Sequence, residues 1–222
     1  MRGKRASQSL LRMKQQLGIK QRHDAMNGVQ LGVKRCVDIA FSALGLLVAS
    51  PLLAFIALRL AAQRNGSVFF RQERIGRGGR PFQIYKFRTM SSEVEADGPR
   101  LLPHGDEEYG TRFERWLRRR HLDELPQMWN VLRGDMSLVG PRPERQYFIN
   151  KIMEHTTRYE LIYEMRPGLT SEATLYNGYT DTMAKMLKRL DMDIRYLENR
   201  SLRLDAQILW TTFCRLLRGK TF

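Results

Sequence analysis

Cysteine is scarce in this chain. Cys36 and Cys214 stand far apart with no ligand-like neighbours, which excludes a disulfide framework and a zinc site and fits a reducing, cytoplasm-facing protein. Acid is in short supply too: 23 Asp and Glu face 38 Lys and Arg, a formal net charge of +15. Such an excess implies a polyanionic partner, whether nucleic acid, an anionic membrane surface or a phosphorylated substrate. Zinc-finger spacing, an RNA-recognition signature and aromatic-basic stacking runs are all missing, which argues against nucleic acid. No internal repeat is visible, and low complexity is confined to the basic N-terminus. With 222 residues there is room for one core and an appended segment, so one active site is expected.

Charge vanishes from Ile39 to Leu58, IAFSALGLLVASPLLAFIAL. An apolar run of about 20 residues is what a membrane helix requires. A secretory signal peptide would place its apolar region nearer the start. Two features predict that the segment enters the bilayer and returns. Ser50-Pro51 lies near its middle, where proline removes the amide that would bond Leu47 and kinks the helix, while the Ser50 hydroxyl can take the freed carbonyl. Both flanks are basic, Lys34-Arg35 before and Arg59 and Arg64 after, a distribution best satisfied with both ends on the cytoplasmic side.

Further along, VFFRQERIGRGGRPFQIYKFRTM reads as a β-hairpin, its apolar runs flanking Gly76, Gly78 and Gly79. Helical pattern follows from about Ser91, then over Phe113–His121, Leu125–Leu132, Arg145–His155, Thr180–Glu198 and Leu202–Leu217, with turns at Gly140–Pro143 and Pro167-Gly168. FERWLRRRH is expected to lie at the membrane interface, with Trp116 at headgroup level and Arg118, Arg119 and Arg120 toward anionic lipid.

Phosphate chemistry needs cations in fixed geometry. Arg142 stands between Pro141 and Pro143, so its backbone is held extended and its guanidinium is pre-organised for bidentate phosphate contact. Carboxylates gather at Glu93, Glu95 and Asp97, and at Asp123-Glu124 with Asp135 close behind. Acids embedded in so basic a chain are candidates for nucleophile or metal ligand, or for ion pairs with nearby arginines. Asp123 and Glu124 also precede Leu125-Pro126, a helix-start signal in which an acid can cap free amides. His121, without an apparent partner nearby in sequence, reads as structural.

Taken together, the Ser-Pro-broken apolar segment, RQERIGRGGRPFQIYKFRTM, HLDELPQMWNVLRGDMSLVGPRPE and MRPGLT resemble the bacterial sugar transferases, the monotopic phosphoglycosyl transferases, in order and over residues 33–170. The tail from Ser171 to Ser201 is similar to that of a subgroup acting in capsule or exopolysaccharide assembly. The resemblance implies an α+β, mainly helical fold: a basic tail or surface helix over 1–32, a re-entrant membrane helix over 33–62, and over 63–222 a catalytic domain with a small β-hairpin and interfacial amphipathic helices. It implies the cytoplasmic face of the bacterial inner membrane, contact with membrane lipid, and a magnesium-dependent transfer of sugar 1-phosphate from a UDP-sugar to polyprenyl (undecaprenyl) phosphate with release of UMP. In the family a carboxylate just after the FRTM-like motif attacks the β-phosphate. Many members carry adjacent Asp and Glu there; here Ser91, Ser92, Glu93, Val94 and Glu95 follow Met90. The carry-over makes Glu95 the essential acid and metal ligand, and Glu93 its partner and the candidate nucleophile. Arg88, Arg112 and Arg142 are the expected charge-neutralising groups, and Asp123, Glu124 and Asp135 line or brace the site. The sugar, and whether the chain forms a homo-oligomer, stay open.

Overall fold

A computed structural model describes residues 24–63, 66–90, 109–178 and 180–218. Its first element, α1 (Gly28–Ala61), is one continuous helix of 34 residues with Pro51 inside it. A capping box starts it: the Asn27 side chain accepts from Gln30 N, and the Gln30 side chain accepts from Asn27 N. At Pro51 the missing amide orphans the Leu47 carbonyl, and Ser50 Oγ donates to that oxygen at 2.7 Å. This is the repair expected from Ser50-Pro51.

One face of α1 is buried and the rest is not. Lys34, Asp38, Ser42, Ile56 and Leu60 are buried, at helical spacing, while Phe41, Leu44, Leu47, Val48, Phe55 and Leu58 are more than half exposed. Polar groups turned inward and apolar groups outward invert the pattern of a water-facing helix. The contacts lie at both ends. Lys34 Nζ pairs with Asp205 at 2.5 Å, Asp38 accepts from Ser137 Oγ and Leu138 N, and Arg35 donates to the carbonyls of Val131 and Leu132. Near the other end, Ile56 and Leu60 form a small core with Phe87 and Leu117.

Strands β1 (Phe69–Ile75) and β2 (Pro81–Phe87) form the expected hairpin, pairing Phe69 with Phe87 and Ile75 with Pro81. Its tip carries Gly78 and Gly79, both at φ +70, a conformation in which a Cβ is strained. Helix α2 (Arg112–Arg119) begins with a second capping box, between Thr111 and Glu114. After a 3-10 turn (Leu122–Glu124) comes α3 (Gln127–Arg133). Asn130 in α3 is fully buried, accepting from Tyr85 N at 3.1 Å and donating to Gln83 O at 2.7 Å, so its amide mimics a strand partner for β2.

The remaining elements build the main core: β3 (Ser137–Val139), α4 (Gln146–Met153), a 3-10 stretch (Thr157–Glu164), β4 (Gly168–Thr170), α5 (Glu172–Asn177), α6 (Met183–Asn199) and α7 (Leu202–Leu217). Ile149, Ile152, Met136, Met186, Ile194 and Leu197 lie at its centre. The parallel pair β3–β4, Ser137 opposite Gly168 and Val139 opposite Thr170, was not expected from the sequence. Just beyond, the backbones of Gly140 and Gly168 touch: a Cβ on Gly140 would stand 2.4 Å from Arg166 O. Small sheets in a mainly helical chain match the expected class.

Candidate active site

Strand β2, the 3-10 turn and the Gly140–Pro143 turn converge on one acidic pair. Strand alternation aims Lys86 at the turn, where its Nζ lies 2.5 Å from Glu124 Oε1. The same oxygen accepts from Arg142 Nη2 at 3.3 Å. The Arg142 side chain remains 40% exposed while that of Glu124 is 14% exposed, so the guanidinium bridges a buried carboxylate to solvent. Helix α3 starts after Pro126 with no side-chain cap. Neither Asp123 nor Glu124 is therefore spent on capping it, which removes the structural explanation open at the level of sequence.

The two neighbouring carboxyls are driven apart. Burial pushes Glu124 up, but Lys86 and then Arg142 outweigh it and hold the group well below the usual carboxylate range. Asp123 is buried, and burial pushes its carboxyl up to about 6; Lys86 pulls against the shift and the Glu124 charge adds to it. His121 joins this group. It is the one non-glycine at positive φ (+54) among the described residues, and burial, with Arg142 and Lys86, lowers its imidazole against the opposing pull of Glu124. A neutral imidazole at pH 7 results. Paired acids with separated proton affinities, set between two cations, are what a reaction on an anionic phosphate demands.

Residues 29–219 match the family model of the bacterial sugar transferases. The chain belongs to that family. It is 36% identical over 187 residues to the UDP-N-acetylgalactosamine-undecaprenyl-phosphate N-acetylgalactosaminephosphotransferase of Aeromonas hydrophila, covering 84% of this chain and 44% of that protein. It is 37% identical over 189 residues to a UDP-glucose:undecaprenyl-phosphate glucose-1-phosphate transferase of Klebsiella pneumoniae, covering 84% of this chain and 40% of the relative. A protein of the same name from Caulobacter vibrioides is 41% identical over 190 residues, 83% of this chain and 69% of the relative. The chain thus spans less than half the length of the first two relatives.

Within this family member, the expected site residues fall into three groups. Asp123, Glu124 and Arg142 come together. Asp135 does not reach them; its carboxylate stands 3.4 Å from Arg133 Nε and 3.4 Å from Asn130 Nδ2, bracing the residue that holds β2. Arg112 is exposed on the first turn of α2, and among the described residues no ion pair joins it to the acidic pair. Arg88 lies just beyond β2 with Nε and Nη2 buried and without a hydrogen-bond partner among the described residues, a cation poised for an anion but not touching Glu124. Glu93, Glu95 and Asp97 lie outside the described residues. Lys86 was not singled out from sequence, being legible only as part of the FRTM-like motif, while His121, read from sequence as structural, lies in the field of Glu124, Arg142 and Lys86. The Arg118 guanidinium donates to the carbonyls of Thr89 and Tyr109.

Proposed function

We propose that this chain transfers a sugar 1-phosphate from a UDP-sugar to polyprenyl phosphate, releasing UMP, at the cytoplasmic face of the bacterial inner membrane as the first membrane step of polysaccharide assembly. The activities for which the relatives are named support the substrate classes. The observation that carries the reading is the Lys86–Glu124–Arg142 bridge beside the buried Asp123.

The nucleophile is the carboxylate after the FRTM-like motif, Glu93, with Glu95 as the essential acid beside it in sequence; both lie outside the described residues. A Glu93 oxygen attacks the β-phosphorus, the bond to the bridging oxygen breaks, and UMP departs with that electron pair. A glutamyl-phosphosugar remains. A phosphate oxygen of the polyprenyl phosphate then attacks the same phosphorus and returns Glu93 to its carboxylate. Glu124 holds Lys86 and Arg142 beside the buried Asp123. Lys86 and Arg142 offset the charge of the donor's phosphates, and neutral His121 adds no charge of its own.

Magnesium on a diphosphate takes one or two carboxylates with the phosphate oxygens, and the expected ligand, Glu95, lies outside the described residues, among which no group of three His, Cys, Asp or Glu is placed to hold a metal. When bound it would neutralise the diphosphate and ease departure of UMP. Membrane association is supported by the large apolar side chains that α1 leaves exposed, Phe41, Leu44, Leu47, Val48, Phe55 and Leu58 among them. Re-entry is supported by both ends of α1 resting on the same charged domain, since a helix crossing the bilayer would leave one end on the far side.

UMP release on mixing the purified protein with UDP-glucose or UDP-N-acetylgalactosamine and polyprenyl phosphate tests the reading. Wild type is expected to turn over, Glu93→Gln and Glu95→Gln to lose the reaction, and Asp123→Asn to retain part of it. Loss in Asp123→Asn with full activity in Glu93→Gln moves the nucleophile to Asp123.

A further inference from the structure

Arg142 has two carboxylates to choose between. Its Nη2 stands 3.3 Å from Glu124 Oε1, a long contact for a charge-assisted bond, and its side chain is 40% exposed. The other carboxylate, Glu144, follows two residues later. Pro143 holds Arg142 extended, and Glu144 bridges Ile75 in an antiparallel pair, its carbonyl accepting from Ile75 N at 2.9 Å. Residues two apart on extended backbone face the same side, so both side chains leave the turn together. A buried, ionised carboxylate left unpaired there would draw the guanidinium onto itself, away from Glu124 and Lys86.

Other arginines occupy Glu144 first. Arg189 of α6 donates from Nη2 to Glu144 Oε1 at 2.5 Å, with side chains 7% and 9% exposed, and from Nη1 to Thr180 Oγ1 at 2.7 Å. Arg74 Nη1 lies 3.8 Å from Glu144 Oε2 and donates to Pro143 O at 3.1 Å, so it grips the backbone of the turn. Burial pushes the Glu144 carboxyl up, but Arg189 and then Arg74 outweigh it and hold the group below the usual carboxylate range, so it keeps its charge. Asp193, one turn further along α6, does not divert Arg189: it is buried, and burial pushes its carboxyl up to about 7 against the pull of Arg189. The strongest grip on Glu144 thus comes from α6, beyond the motif-bearing stretch 33–170.

We infer that Arg189 is a positioning residue for the transfer: by occupying Glu144 it denies that carboxylate to Arg142, whose guanidinium stays turned toward Glu124 and the diphosphate of the donor. The inference rests on the proposed transferase reading and adds to it a side chain that touches neither substrate. It also gives the tail a part in the chemistry, through one buried ion pair.

Donor KM, and the Kd for inorganic pyrophosphate as a diphosphate probe that needs no turnover, test it in detergent micelles. Arg189→Gln releases Glu144 to capture Arg142, so both constants should rise about tenfold, the worth of one charge-assisted phosphate contact. Arg189→Gln combined with Glu144→Gln should return both to within about twofold of wild type, because no carboxylate is left to capture the guanidinium. In an Arg142→Gln background, Arg189→Gln should move neither constant further. A role confined to stability would lower the folded fraction, and with it kcat, while leaving both constants alone. Wild-type constants in Arg189→Gln, or a rise that persists in the double variant, overturn the inference. Should Arg189→Gln fail to fold, Arg189→Lys answers in its place: a point charge replacing a two-pronged fork should raise both constants about threefold, and wild-type values there overturn the inference too. A wild type that releases no UMP from any UDP-sugar, yet shows the pyrophosphate pattern across these variants, sinks the transferase reading and upholds the positioning role.

Discussion

Lys34→Met is the sharpest perturbation of how α1 is held on the domain. Lys34 Nζ and Asp205 Oδ2 stand 2.5 Å apart with side chains 10% and 9% exposed, so solvent screens the pair little. Tyr196 OH donates to the other Asp205 oxygen at 2.5 Å, and burial followed by the Asp205 charge keeps that phenol protonated. Removing the ammonium strands a buried carboxylate, which costs about 3–5 kcal/mol, and the surviving tyrosine bond places the loss near the lower end. At roughly 2–4 °C per kcal/mol for a chain of this size, thermal unfolding in detergent should fall by about 6–12 °C. Lys34→Met with Asp205→Leu should regain most of that, because no charge is then left unpaired. A fall of under about 2 °C in the single variant refutes the claim that this pair anchors the helix.

Three further outcomes are expected. By linkage, the raised Asp123 carboxyl gives a stability contribution that is full below its unfolded value near pH 4 and lost as pH rises through about 6, measurable by chemical denaturation across that range. Asn130→Ala removes both bonds to β2 and leaves buried backbone groups unsatisfied, so a loss of about 2–4 kcal/mol is expected in urea titration. Gly140→Ala should abolish folding or activity, since its Cβ meets Arg166 O at 2.4 Å, whereas Gly32→Ala, with nothing within 4 Å, should be neutral or stabilising by up to about 1 kcal/mol in the same titration.

Local pattern made much of the architecture legible. The apolar run of α1, the hairpin, α2, α3, α4, α6 and α7 each announce themselves by period, caps or glycine, and Ser50 repairs Pro51 as its chemistry suggested. Long-range pairing was not legible. Strands β3 and β4 have three residues each and meet across a separation that no local period records. Lys34 and Arg35 read as flanking charges that set topology; the fold instead spends Lys34 on Asp205, 171 residues away, and Arg35 on the end of α3. The site shows the same division. Arg142 is legible from its two prolines, but Lys86 gains meaning only when β2 sets it against a carboxylate 38 residues on. The acids after Met90, read from the family's order of motifs, lie outside the described residues, whereas Asp123 and Glu124, also expected at the site, form a buried and bridged pair.

Intact-mass analysis of the enzyme after a brief exposure to UDP-sugar without acceptor tests the attacking carboxylate most directly. The account predicts an added sugar phosphate that peptide mapping assigns to Glu93, absent in Glu93→Gln and discharged when polyprenyl phosphate is added. An adduct mapped to Asp123, or turnover in Glu93→Gln at the wild-type rate, contradicts it.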